Sequence, residues 1–383
     1  MTQPFPLITV SGTPHERGRQ YGAQAAGRIR KGVAQYSAQL ARLNLNADAI
    51  AALVRAYRPM IEAFDPTYIE EMEGIAAGAE IPFTDVALLN ARTELLKLAE
   101  KPELRARLQT DPDGCTGLVV MPQASADGRL LHAQNWDWKA ECAETAVVLR
   151  IHRDDGPDIL TFTEAGGLAR SGLNSAGIAI TANYLESDRD YRDIGVPLAL
   201  IRRKVLQEAA PALAMHAVHA TRKSAANNMI VSASNAAGQG VAIDFECAPD
   251  ETFHVHPEAG LLVHANHFVS PVALSKLRDT GVANTPCSLY RDLRVRDLLR
   301  QVPGRIGIAD IKRALSDDFG SPWSVCRPPR PSMAGNNLSA TVAMVVMQPS
   351  RGIMEVAPLP ALGLDFTTYT LAMEGAALRD AAE

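Results

Sequence analysis

The feature that most constrains this chain is a change of period at Asp113-Gly114-Cys115-Thr116-Gly117-Leu118-Val119-Val120-Met121. Before it the sequence has helical spacing, and after it come short apolar runs of β type. At the seam a glycine precedes a cysteine. Glycine has no Cβ, so it takes backbone conformations closed to other residues and lets a thiol approach its carbonyl. A cysteine so placed can attack the preceding peptide bond and become a new N-terminus. The freed α-amine, with a pKa of about 7.7–8.0, can then serve as the base for its own thiol. Cys115 is the candidate nucleophile and Gly114/Cys115 the candidate processing site. The plainer alternative is a packing cysteine.

Upstream, residues 7–10 form an expected strand, and Thr13-Pro14-His15-Glu16 has the pattern of a capping box with proline at the first helical position. A helix is expected from there to Leu43, with Gly18, Gly22 and Gly27 near one face for close approach to another element. Further helices are expected over Asn46–Ala63, Pro66–Ala77 and 84–99, and the charged segment from Lys101 to Pro112 reads as an exposed linker. Downstream, strands are expected at 117–121, 129–135, 146–152, 158–164, 168–173, 177–182, 228–233, 240–246, 252–256, 261–265, 340–347 and 353–356. Turn sequences such as Ala126-Asp127-Gly128 and Asn174-Ser175-Ala176-Gly177 separate them. Helices over 197–221 and 288–317 interrupt the series. Runs apolar on both parities, such as Val345-Val346-Met347, point to strands covered on both faces, as in two packed antiparallel sheets with helices outside.

The 383 residues, 47% hydrophobic, suffice for a large core, and the net charge of −5 without basic clusters argues against nucleic acid and anionic membranes as partners. No apolar run approaches the ~18 residues of a membrane span, and the N-terminus has no basic stretch followed by an apolar one. Cysteines at 115, 142, 247, 287 and 326 form no CxxC pair, the pattern of reduced thiols. The expectation is a cytoplasmic enzyme without a cofactor; nothing in the composition opposes a homo-oligomer.

Four places put polar groups where strand patterning would have apolar ones. In Gln134-Asn135-Trp136-Asp137-Trp138, a hairpin would return Asp137 to Cys115, where a carboxylate could hold a new α-amine; the alternative is a turn-capping aspartate. Asn183, in Ala182-Asn183-Tyr184, and Asn266, in His264-Ala265-Asn266-His267, are candidate donors to an oxyanion, worth about 3–4 kcal/mol each, or else turn residues. Arg327, in Trp323-Ser324-Val325-Cys326-Arg327-Pro328, is a buried partner for Asp137 or a surface-loop arginine. His254, His256, His264 and His267 raise a competing metal site, but no HExxH spacing supports it. Phosphate-loop, dinucleotide and Gly-x-Ser-x-Gly motifs are absent.

In order along the chain, Asp113-Gly114-Cys115-Thr116, Gln134-Asn135-Trp136-Asp137, Thr163-Glu164-Ala165-Gly166, Asn174-Ser175-Ala176-Gly177, Val263-His264-Ala265-Asn266-His267 and Ser324-Val325-Cys326-Arg327 resemble the acyl-coenzyme A:6-aminopenicillanic acid acyltransferase family, of the cysteine N-terminal nucleophile hydrolases. Gly12-Thr13-Pro14-His15-Glu16 and Leu89-Asn90-Ala91-Arg92-Thr93-Glu94 extend the resemblance to the amino-terminal part. It implies an α+β fold, a four-layer αββα sandwich, and autocatalytic cleavage into 1–114 and 115–383, held together as one domain. It implies Asp137 orienting the amine of Cys115, Asn266 and, more loosely, Asn183 as oxyanion donors, and Arg327 supporting Asp137. The substrate is then a small amide or acyl donor, the acyl group passing through a thioester on Cys115. An acyl-CoA-dependent N-acyltransferase, an unprocessed binding protein and a histidine-cluster metallohydrolase are the alternatives.

Overall fold

The computed structural model describes residues 3–42, 47–99, 114–331 and 338–374. β1 (Leu7–Val10) leads into α1 (Pro14–Arg42). Glu16 Oε2 accepts the Thr13 N–H at 2.9 Å, and Thr13 Oγ1 accepts the Glu16 N–H at 3.4 Å, so the capping box is made. α2 (Ala47–Phe64) and α3 (Pro66–Ala79) follow, with the Asp65 carboxylate capping α3. A Cβ on Gly18 or Gly22 would fall 2.0 Å from Glu71 O or 2.2 Å from Ile75 O, so at these points the backbones of α1 and α3 touch. Gly74 and Gly78 do the same from α3, whereas a Cβ on Gly27 would meet nothing within 4 Å.

The helix expected over 84–99 is two, α4 (Phe83–Asn90) and α5 (Arg92–Ala99). Asn90 is the reason. Its Nδ2 donates to Val86 O and Gly166 O, and its Oδ1 accepts the Leu168 N–H, so a side chain tied to a distant turn draws the helix aside. The expected linker at 101–112 lies outside the described residues.

Then come β2 (Gly114–Val120), β3 (Leu131–Lys139), β4 (Ala146–Ile151), β5 (Ile159–Glu164), β6 (Ser171–Asn174) and β7 (Ile178–Tyr184). The stretch 197–221 is likewise two helices, α6 (Leu198–Gln207) and α7 (Pro211–Ala220), because Pro211 cannot continue one helix and instead starts the next. β8 (Asn227–Ser234), β9 (Gly240–Cys247), β10 (Thr252–Val255) and β11 (Leu261–His264) precede the unexpected short α8 (Pro271–Lys276). α9 (Cys287–Arg300) and α10 (Ile308–Leu315) replace the single helix expected over 288–317, with Gly304 at φ +82° between them. The chain ends with β12 (Arg330–Pro331), β13 (Leu338–Gln348), β14 (Ile353–Pro358) and β15 (Thr367–Thr370). β12 and β15 were not expected; both are short and polar in part.

Among the described residues the strands form two sheets, one of eight in the order β1-β4-β5-β6-β7-β8-β9-β10, the other of seven in the order β11-β2-β3-β13-β14-β15 with β12 on β13. Neighbours are antiparallel except β1 and β4. Alternation along the strands sorts side chains into layers. Val147, Leu149, Ile178, Ile180 and Val231 face helices α1–α7 in one core. Val148, Leu160, Phe162, Ala343, Val345 and Met347 meet between the sheets, with Cys115 and Trp136. Leu118, Val120, Ala133, Val263, Met344 and Val346 face α9 and α10. This is a four-layer αββα sandwich, α+β in class, with Cys115 in its middle seam.

Candidate active site

β2 and β3 form a hairpin whose register places Gly114 opposite Asp137 and Cys115 opposite Trp136. Cys115 is 1% exposed and points between the sheets. Its peptide is gripped on both sides. The N–H donates to Asn266 Oδ1 at 2.8 Å, and the carbonyl accepts from Arg291 Nη1, which also reaches Thr116 Oγ1 at 2.8 Å. Arg291 Nη2 donates to the same Asn266 oxygen at 2.8 Å. Two donors converging on that atom identify it as the amide oxygen. Asn266 Nδ2 therefore points away, to Tyr184 O at 2.8 Å, which leaves it one further hydrogen.

Arg327 is fully buried, and its Nε lies 3.3 Å from Asp137 Oδ2. Thr341 braces both: its Oγ1 donates to Asp137 Oδ1 at 2.6 Å and accepts the Arg327 N–H at 2.8 Å. Despite the ion pair, Asp137 Oδ2 and Arg327 Nη1 lack hydrogen-bond partners among the described residues. Both flank Gly114, where an added Cβ would stand 2.7 and 2.8 Å from them. Any side chain there forces a shift. Burial and the Asp137 carboxylate push the neighbouring Cys326 thiol up to about 12, so that thiol is inert at neutral pH.

Asn183 lies at the end of β7. Its Nδ2 donates to His264 O and Ala265 O, at 2.9 Å each, and its Oδ1 accepts from Gln134 Nε2 at 2.8 Å. Both of its hydrogens are thus engaged in bracing the loop that carries Asn266. The four histidines do not gather. His264 is buried against Glu246 at 2.8 Å, with His267 stacked on it at 6.1 Å between ring centroids; His254 lies elsewhere, exposed and stacked on His219. Burial alone would lower the pKa of His264, but Asp244 and Glu246 outweigh it and raise the imidazole to about 9. It is a cation pinning a loop.

Arg170, Arg291 and Thr341 were not anticipated. Arg170 Nη2 lies 3.6 Å from Cys115 Sγ, with its guanidinium 4.1 Å over the Trp136 ring. Its signal was a charge in an otherwise apolar run at 168–173. Arg291 sits in an arginine-rich helix where no spacing singles it out.

A thiol between two sheets, with its peptide held by an amide and a guanidinium and a buried carboxylate–guanidinium pair across the hairpin, is a set of groups suited to acyl transfer or amide cleavage. Residues 124–357 match the acyl-coenzyme A:6-aminopenicillanic acid acyl-transferase family, and the chain belongs to it. It is 29% identical over 262 residues, 68% of either chain, to the 40 kDa form of acyl-coenzyme A:6-aminopenicillanic-acid-acyltransferase of Emericella nidulans. It is 27% identical over 219 residues, 53% of this chain and 37% of the other, to an uncharacterized protein of Archaeoglobus fulgidus. Among solved structures, a mutant of the conjugated bile acid hydrolase of Clostridium perfringens superposes with a TM-score of 0.47 at 12% identity, covering 67% of this chain and 92% of that one. Penicillin V acylase of Agrobacterium tumefaciens gives 0.42 at 14%, covering 67% and 86%.

Proposed function

We propose that the protein is a self-processing thiol amidohydrolase whose nucleophile is Cys115. The observation that carries this is a pair of buried atoms without hydrogen-bond partners among the described residues, Asp137 Oδ2 and Arg327 Nη1, flanking the residue before a clamped cysteine. In the precursor the Cys115 thiol attacks the Gly114 carbonyl carbon, and the carbon–nitrogen bond breaks as the nitrogen takes the proton. Water then hydrolyses the thioester, giving a carboxylate on Gly114, the regenerated thiol and the α-amine of Cys115. Asn266 Oδ1, already 2.8 Å from that nitrogen, keeps the amine in place beside Asp137.

In the mature enzyme the amine takes the thiol proton and the thiolate attacks the substrate carbonyl. The second Asn266 hydrogen serves the oxyanion; Asn183 contributes by fixing the loop, or directly once its bonds to His264 and Ala265 loosen. The acyl group rests on sulfur until water removes it. The Emericella relative, by its name, favours an acyl-CoA donor and an amine acceptor as the second reading.

The fragments 1–114 and 115–383 stay together as one folding unit, a reading supported by their shared core and by buried bonds between them. Arg92 Nε donates to Glu164 at 2.6 Å, and Asn90 holds Gly166 and Leu168. No helix among the described residues is long and apolar enough to cross a membrane. Five cysteines, all outside disulfides, support a cytoplasmic site of action.

The test is the intact mass of purified protein, with Cys115→Ala alongside. Fragments of 114 and 269 (383 − 114) residues are expected from wild type alone. A full-length chain that persists through prolonged incubation overturns self-processing. Release of amine from acyl amides without added coenzyme A separates hydrolysis from acyl-CoA-dependent transfer.

A further inference from the structure

A cavity of about 30 Å³ is walled by Arg92, Glu94, Glu164, Arg170 and Arg202 among others, and of these Arg170 reaches the Cys115 thiol. Among the described residues of its wall there are three guanidiniums and two carboxylates. Glu164 is taken by Arg92 and by the Tyr36 hydroxyl, at 2.6 and 2.5 Å. Glu94 accepts the Leu198 N–H at the start of α6, at 2.8 Å. Arg170 and Arg202 make no ion pair among the described residues, although they are only 7% and 8% exposed, and the Nε of each is buried without a partner. Arg202 makes no side-chain hydrogen bond to the described residues. Burial, together with the like charge of Arg170, lowers the pKa of Arg202 to about 9, so at neutral pH it is an unsatisfied buried cation. Removing a guanidinium from water without a counter-ion costs several kcal/mol, and a chain that keeps two such groups side by side at its thiol has an anion to receive there.

Resting on the reading of Cys115 as nucleophile, we propose that Arg170 and Arg202 seat a carboxylate of the substrate, so that the amide cleaved is anionic, of the N-acyl amino acid class. Guanidinium forks match carboxylate geometry. The cavity exceeds the 10–15 Å³ or so that one water needs, enough for the two oxygens of a carboxylate. Arg170 Nη2 is 3.6 Å from Sγ, and an attacked carbonyl carbon stands roughly 3–3.5 Å from its nucleophile. The carboxylate therefore lies within a few bonds of the attacked carbon, close enough for an N-acyl α-amino acid and for a carboxylate carried directly on that carbon. Amides whose amine half is cationic, such as β-alanyl amines, would set a third positive charge against two.

Alkylation of Cys115 tests this without knowledge of the acyl group. Iodoacetate and iodoacetamide deliver the same carbon to sulfur and differ only in the carboxylate. Rates at Cys115, followed by peptide mass on the processed protein, are divided one by the other and compared with the ratio for N-acetylcysteine; the thiolate fraction cancels. A ratio at least tenfold above that of N-acetylcysteine is expected, falling in Arg202→Gln and largely kept in Arg202→Lys. A wild-type ratio equal to that of N-acetylcysteine overturns the carboxylate seat while leaving the nucleophile standing. Labelling of Cys115 by neither reagent overturns the nucleophile, and the seat with it.

Discussion

Replacing Gly114 by alanine tests the geometry of the cut directly. Gly114 is not at positive φ, so the backbone itself accepts an L side chain and any effect comes from contacts. The new methyl would stand 2.7 Å from Asp137 Oδ2, 2.8 Å from Arg327 Nη1 and 3.0 Å from Asp137 Cβ. Neither neighbour can give way: Asp137 and Arg327 are 1% and 0% exposed, and Thr341 holds the carboxylate from its other oxygen. The strand end must move instead, by several tenths of an ångström, carrying the Gly114 carbonyl off the thiol. Overpacking of this kind costs about 1–3 kcal/mol, and misplacing reacting groups by about 1 Å costs on the order of 100-fold in rate. Gly114→Ala should therefore mature roughly 10- to 100-fold more slowly, read as the growth of the 269-residue fragment (383 − 114) by intact mass. Activity per matured molecule should be near wild type, because residue 114 has by then left the nucleophile. Maturation of Gly114→Ala at the wild-type rate would refute the reasoning.

Arg327→Met strips the counter-ion from a carboxylate with 1% exposure, a loss of about 3–5 kcal/mol in denaturant unfolding, and adding Asp137→Asn should restore part of it; an unchanged midpoint for the single variant would show the pair to be idle. His264 faces Asp244 and Glu246 from β9, Asp292 from α9 and His267 on its own loop. With a folded pKa of about 9 against roughly 6.5 unfolded, its contribution, up to about 3 kcal/mol, is fully present below pH 6.5 and lost as pH rises through 9. His264→Gln should flatten that alkaline fall in Tm, and the same fall in the variant would assign it to other groups. Gly18→Ala drives a methyl to 2.0 Å from Glu71 O and should cost about 1–3 kcal/mol, whereas Gly27→Ala, in open space, should gain about 0.5–1 kcal/mol; equal effects would deny the close contact of α1 and α3.

The strands were legible because alternation and turn chemistry are local, and the runs expected after Cys115 fall on strands to within a few residues. Helix breaks were not. Asn90 bends its helix through bonds to Gly166 and Leu168, residues more than seventy positions away, which no window along the chain can weigh. In the candidate site, Asp137, Asn183, Asn266 and Arg327 stood out because each puts a polar side chain into an apolar or strand-ending run. Arg291 and Arg202 sit on helices where arginine is ordinary, and only burial sets them apart. Nor could local pattern say which way an amide turns: the oxygen of Asn266 faces Cys115 because Arg291, twenty-five residues on, donates to the same atom.

Under the proposed self-processing, that orientation also joins the two stages of the chemistry. In the intact chain Asn266 Oδ1 accepts from the Cys115 amide and from Arg291, so the nitrogen that must leave Gly114 is already held by the atom that will hold it as an amine. Across the hairpin, Asp137 Oδ2 and Arg327 Nη1 have no hydrogen-bond partners among the described residues, and both flank Gly114. Unsatisfied buried groups of this kind cost stability in the precursor, of the order of 1–3 kcal/mol each. Breaking the Gly114–Cys115 bond, as proposed, would relieve that cost, because the new ammonium would be a donor for the carboxylate and the new Gly114 carboxylate, or a substrate that replaces it, an acceptor for the guanidinium. Under the proposed self-processing, the precursor would be strained by absent hydrogen bonds rather than by a distorted backbone, and cleavage would proceed towards the state in which every one of these groups is paired.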